Sequence, residues 1–192
     1  MGAQTSEKQL AAELSEMLGP TYPGIEVEIG QNPRWQRRCV TFRWGGFADL
    51  LPEERFHRLV RAIPEEYRVA KLAGAVWLEL APNETVDQFL QQPRSEDVAE
   101  RESAIYGRLI EAGLFGRLES AMQPAPDRAC AGDFSRTRSI LSDKGFGEED
   151  LRDAKLSLIR HGAYCDCQVL LTARPEFSRT YPGVTEAGVG AT

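Results

Sequence analysis

Residues 25–44 read IEVEIGQNPRWQRRCVTFRW. Ile25, Val27 and Ile29 alternate with Glu26 and Glu28, the period-two pattern of a half-buried strand. Gln31-Asn32-Pro33 supplies a turn. A second strand follows, with Val40, Phe42 and Trp44 on one face and Cys39, Thr41 and Arg43 on the other. The short gap predicts an antiparallel hairpin.

On the N-terminal side, residues 6–18 place Leu10, Leu14, Met17 and Leu18 on one helical face, and Gly19-Pro20 stops that helix. On the C-terminal side, Gly45-Gly46 ends the strand and Pro52-Glu53-Glu54 opens a helix. Its predicted apolar stripe is Phe56, Leu59, Val60 and Ile63, and Pro64 breaks it. A third strand is expected over 75–80, then a short helix over 83–90 capped by Asn83 or Thr85. The order helix, strand, strand, helix, strand, helix predicts an α+β layer over residues 1–92, with helices covering one face of a three-stranded sheet.

Residues 93–128 read as a helical connector ending in the Pro-rich linker Pro124-Ala125-Pro126-Asp127. Residues 129–175 read as a small Cys-containing unit: a helix over 134–141, a glycine turn over 144–147, a helix over 148–160 and a strand over 164–172. The tail, 176–192, is rich in Gly, Thr and Ala and is expected to be disordered.

Bulk properties narrow the function. The 192 residues are 42% hydrophobic, enough for a folded core. Lys+Arg 23 against Asp+Glu 29 leaves a net charge of −6, which repels polyphosphate as a whole, so nucleic acid is not the expected main partner. The exception is local: Arg34, Trp35, Arg37, Arg38 and Arg43 mix cations and aromatics on the hairpin, a pattern able to stack bases and pair phosphates. The same residues also read as a solvated hairpin with arginine stems lying on a packed face. No apolar run reaches membrane-spanning length. The opening MGAQTSEKQL has no secretory pattern, although Gly2 and Ser6 fit the loose myristoylation motif. The expectation is a cytoplasmic protein with reduced thiols.

Segments 45–63 (GGFADLLPEERFHRLVRAI) and 73–90 (AGAVWLELAPNETVDQFL) resemble the BolA family, over roughly residues 5–92. The resemblance implies a fold shared with KH domains, and a role in which the family binds an iron–sulfur cluster together with a glutaredoxin. His57 matches a family histidine in position. The family's usual cluster ligand, a histidine before the last strand, is missing from Leu72-Ala73-Gly74-Ala75-Val76, so cluster binding is not carried over. The Gly-x-x-Gly loop of KH domains is absent as well.

The sharpest local signal is His161-Gly162-Ala163-Tyr164-Cys165-Asp166-Cys167. On a strand, Cys165 and Cys167 would point to one side. His161 comes from the end of the preceding helix, and a helical hairpin could return Cys130 to the pair. Cys130, His161, Cys165 and Cys167 would then form a Cys₃His set suited to Zn²⁺. Buried structural thiols and a redox pair stay open beside this reading. Residues 129–173 are similar to the bacterial family catalogued as domain of unknown function 2695, which ends in a Gly-Tyr-Cys-Asp-Cys-Glu-Val-type segment. Cys130, Thr137, Cys165, Asp166 and Cys167 match. Gln168 replaces the family's glutamate, and the residues after Cys130 depart from its pattern. The resemblance implies no activity.

No P-loop and no dinucleotide fingerprint is present, and two histidines leave few partners for a nucleophile. The leading expectation is therefore a non-enzymatic binding or adaptor protein with a protein partner and a zinc site in its C-terminal unit. The alternatives are a thiol-based metal or iron–sulfur handling protein and an RNA-contacting module.

Overall fold

The computed structural model describes residues 2–123 and 130–184. The chain is mixed α+β and divides into two units, Met1–Pro93 and Arg94–Thr192. The expected linker at 124–127 and residues 185–192 of the expected tail lie outside the described residues.

In the first unit, β1 (Glu26–Asn32) and β2 (Arg37–Arg43) form the hairpin, with Glu26 opposite Arg43 and Asn32 opposite Arg37. β3 (Val76–Leu80) joins β2 in parallel, so the sheet order is β1-β2-β3. A parallel neighbour needs a crossover. Here α2 (Pro52–Ala62) and the helical stretch 65–72 provide it. α1 (Gly2–Leu18) lies on the sheet and buries Leu14 and Leu18 against Val40, Phe42, Phe47, Leu59 and Ile63.

Helices do not cover only one face. Trp77 joins the α1/α2 side, while Leu78 and Leu80 belong to a second cluster with Phe89 of α3 (Val86–Leu90), Val86 and Trp35. β3 therefore sits between two apolar clusters. Thr85 is the cap of α3: its hydroxyl accepts the Gln88 N–H at 3.2 Å.

The buried face of α2 differs from its apolar stripe. Leu59 and Ile63 are buried as expected, but Phe56 is 49% exposed and leans edge-on against Trp77. Arg55 is 1% exposed in its place. Its Nε donates to the Leu50 carbonyl at 2.9 Å and a terminal nitrogen to the Glu79 carbonyl at 2.7 Å. That nitrogen also lies 2.5 Å from Glu84 Oε2, which in turn accepts the Ala81 N–H at 2.9 Å. One guanidinium thus ties the start of α2, the end of β3 and the turn before α3. A charge can be buried when its donors have acceptors, and arginine's fixed fork suits three acceptors at once.

The second unit is all-helical among the described residues. A 3₁₀ turn (Ser95–Arg101) leads into α4 (Glu102–Glu111) and α5 (Leu114–Ala121), followed by α6 (Ser135–Ser142) and α7 (Glu148–Arg160). Residues 95–121, expected as a connector, belong to this unit. α4 packs on α7 and α5 on α6, with Leu109, Leu114, Phe115 and Leu118 buried. The expected strand over 164–172 is also corrected. Cys165 is extended (φ −164, ψ 167), and the chain is helical from Asp166 to Thr180, here named α8, with a π-helical turn at Val169–Ala173. Cys165, Val169, Ala173 and Phe177 are all buried, and their four-residue spacing is a helical one. The strand reading fails because Leu171, which strand alternation would bury, is 63% exposed. Residues 176–180, expected within a disordered tail, complete α8.

Arg55→Ala should lower the unfolding free energy by about 3–5 kcal/mol in denaturant titration, because it strands Glu84. Arg55→Lys should recover only part of that loss, since an ammonium cannot reproduce the fork.

Candidate metal centre

The Sγ atoms of Cys130, Cys165 and Cys167 lie within 4.8 Å of one another. Cys165 and Cys167 bring their sulfurs to 3.2 Å without a strand: Cys165 holds the extended position before α8, and Cys167 lies in its first turn. Cys130 comes from the segment leading into α6. The Gly132 N–H points at its sulfur, 3.4 Å away, and Gly132 has φ +81, a conformation open to glycine.

Asp166, between the two cysteines, closes the arrangement. It is 0% exposed. Its Oδ1 accepts the Thr137 N–H at 3.0 Å and the Thr137 hydroxyl at 2.7 Å, and its Oδ2 accepts the Arg136 N–H at 3.0 Å. The Asp166 N–H donates back to the Asp133 carbonyl at 2.8 Å. One buried carboxylate therefore caps α6 from across the unit, an anion at the positive end of a helix. It also fixes the Cys130 segment beside the Cys165/Cys167 pair. Gln168 completes the frame: its Oε1 accepts the Tyr164 N–H at 2.9 Å and lies 3.5 Å from the Cys165 sulfur.

The three thiols are electrostatically unequal. Burial works against the Cys130 thiolate, but backbone N–H groups of Cys167 and Gly132 and the two neighbouring thiols hold its pKa below the ordinary thiol value. Burial pushes Cys165 up, and burial together with its two neighbours pushes Cys167 up to about 12. In the metal-free protein, the cluster thus favours one thiolate, on Cys130, with two thiols as donors. A cation would discharge this crowding by taking all three sulfurs as thiolates. Zn–S bonds of about 2.3 Å in tetrahedral geometry place sulfurs roughly 3.8 Å apart, so the cluster can hold a metal ion after small side-chain shifts.

His161 is not part of this group of sulfurs. Its Nε2 lies 3.1 Å from Glu102 Oε1, at an angle that makes no hydrogen bond, and its ring packs 4.0 Å from Phe177. Glu102 is the hub of a separate polar cluster, accepting from the Tyr181 hydroxyl at 2.9 Å and sitting 3.4 Å from Arg160 Nε. Sequence reasoning placed His161 by proximity in the chain. The acidic partner at Glu102, in the first turn of α4, left no local signal.

On the first unit's hairpin, three of the four arginines have partners within the unit. Arg34 pairs with Asp87 at 2.7 Å, and Arg38 donates to the Lys71 carbonyl at 3.1 Å. Arg43 donates to the Glu84 carbonyl at 3.1 Å. Trp35 packs on the Leu78/Leu80/Phe89 cluster, and Arg37 is exposed. His57 is half-buried, and burial together with Arg61 and Arg58 lowers its pKa. The fourth cysteine, Cys39, is buried in β2.

Asp166→Asn should cost the second unit about 1–3 kcal/mol in thermal or denaturant unfolding, because a charged acceptor to three donors is replaced by a neutral one. In the metal-free protein, iodoacetamide should label Cys130 ahead of Cys165 and Cys167. Mapped by peptide mass spectrometry, the Cys130 rate should level off at a lower pH than that of a free thiol.

No family model matches this chain, nor does any curated protein or any solved structure.

Proposed function

We propose that the protein is a non-enzymatic binding or adaptor protein whose second unit carries a thiolate metal site, with Zn²⁺ as its ion. The observation that carries this reading is the convergence of Cys130 with Cys165 and Cys167, sulfurs from distant parts of the chain within 4.8 Å of one another. Apolar packing alone does not require three thiols to meet. All four cysteines are free, which fits a reducing compartment such as the cytoplasm. No helix among the described residues is long and apolar enough to cross a membrane.

The helix-strand-strand-helix-strand-helix order of the first unit supports a protein-binding role of the kind that the BolA resemblance implies. A thiol-based metal-handling or redox role is the second reading, favoured by the 3.2 Å approach of Cys165 to Cys167. The internal pairing of Arg34, Arg38 and Arg43 ranks an RNA-contacting role below both.

Elemental analysis of purified protein tests the proposal. Zinc near one equivalent per chain, lost in a Cys165→Ser, Cys167→Ser double variant, is the expected result. Iron in its place would favour the second reading. Metal-free protein that takes up no Zn²⁺ on titration would refute a metal role.

A further inference from the structure

We infer that the metal site is open: three cysteines supply all the protein ligands, and the fourth position belongs to an exchangeable donor from outside the chain. This inference rests on the metal reading above and goes beyond it. It separates an exchange or hand-over site from a closed structural one.

The polar side chains close to the cysteines in the chain are held by other partners or face elsewhere. Both oxygens of Asp166 serve the first turn of α6, and the side chain has no exposed surface through which to turn. Asp133 Oδ1 accepts the Ser135 N–H at 3.0 Å. Gln168 Oε1 holds the Tyr164 N–H. His161 faces Glu102 and Phe177. Among the described residues, no histidine or carboxylate joins the three sulfurs. Cys165 is buried, while Cys130 and Cys167 are each partly exposed, so the ion would reach solvent on their side.

Closed structural zinc sites use four protein ligands, whereas a site with three keeps a position for an incoming group. Three thiolates on a divalent ion leave one net negative charge, which weakens its pull on a bound water. Ligand exchange suits such a centre better than hydrolysis. Soft donors are the matching class for the open position, a low-molecular-weight thiol above all. In that step the thiol loses its proton to solvent, its sulfur displaces water from the ion, and the ion keeps its oxidation state.

Co²⁺ provides the test, since its visible and near-ultraviolet absorption reports coordination. Full-length protein is freed of metal, kept reduced with a phosphine, loaded with Co²⁺ and titrated with 2-mercaptoethanol. The expected result is a thiolate-to-cobalt band that rises and shifts saturably as an external sulfur joins. The band and the cobalt affinity should survive in a His161→Gln, Asp127→Asn, Glu186→Gln variant, which removes the second unit's histidine and the carboxylates of 124–129 and 185–192, stretches outside the described residues. Cys130→Ser should weaken affinity by at least about 10–100-fold, the range seen for loss of mere supporting groups. A cobalt band that does not respond to thiol, or one that changes in the triple variant, overturns the open site while leaving metal binding intact. Absence of any thiolate-to-cobalt band overturns the metal reading itself.

Discussion

A carboxylate with no exposed surface holds the second unit's chemistry in place. Asp166 accepts two backbone N–H groups and one hydroxyl from the first turn of α6. Its own N–H reaches back to the Asp133 carbonyl. The helix supplies donors that have no partner within it, and the carboxylate supplies charge where the helix dipole favours it. Because Asp166 stands between Cys165 and Cys167, the same contact that caps a helix also sets the distance from Cys130 to the other two sulfurs. Stability and site geometry are one quantity here.

The two units bury charge by the same rule. In the first, Arg55 is enclosed with carbonyls and Glu84 around it. In the second, Glu102 is enclosed with Tyr181, Arg160 and His161 beside it. Burial pushes the Tyr181 hydroxyl up, and the adjacent Glu102 carboxylate adds to it, so this tyrosine stays a donor. Phe177 links the hub to the apolar interior, stacked on Tyr106 at 4.6 Å and touching His161. The hub engages the histidine that chain proximity would have assigned to the metal.

Much of the first unit was legible because its strands face two environments. Ile25 to Ile29 alternate cleanly, Val40 and Phe42 are buried on one face of β2 although Cys39 on the other is buried too, and Leu10, Leu14 and Leu18 mark the buried face of α1. The reading of α2 missed Arg55 because a charged residue carries no mark of burial until its distant acceptors, Glu79 and Glu84, are known. In the second unit the cysteine cluster was legible although the element beneath it was misread. A strand was expected over 164–172, but the run Cys165, Val169, Ala173, Phe177 carries a helical period and buries all four. Sulfurs that meet across a strand face can also meet at a helix start, so the grouping survived the change of element.

The π-helical turn at Val169–Ala173 has a consequence for how this sequence can vary. A wide turn holds one residue more than an α-helical turn would and absorbs it in its width. Excising a single residue there would let the turn close to α-helical width with the chain beyond it keeping nearly its orientation, whereas inserting one would turn everything beyond it by about 100° about the helix axis. With an insertion, Phe177 would swing off Tyr106, and Tyr181 would leave Glu102, while Cys165 and Cys167 stayed where they are. The stretch between the sulfurs and the aromatic stack should therefore tolerate the loss of one residue far better than the gain of one.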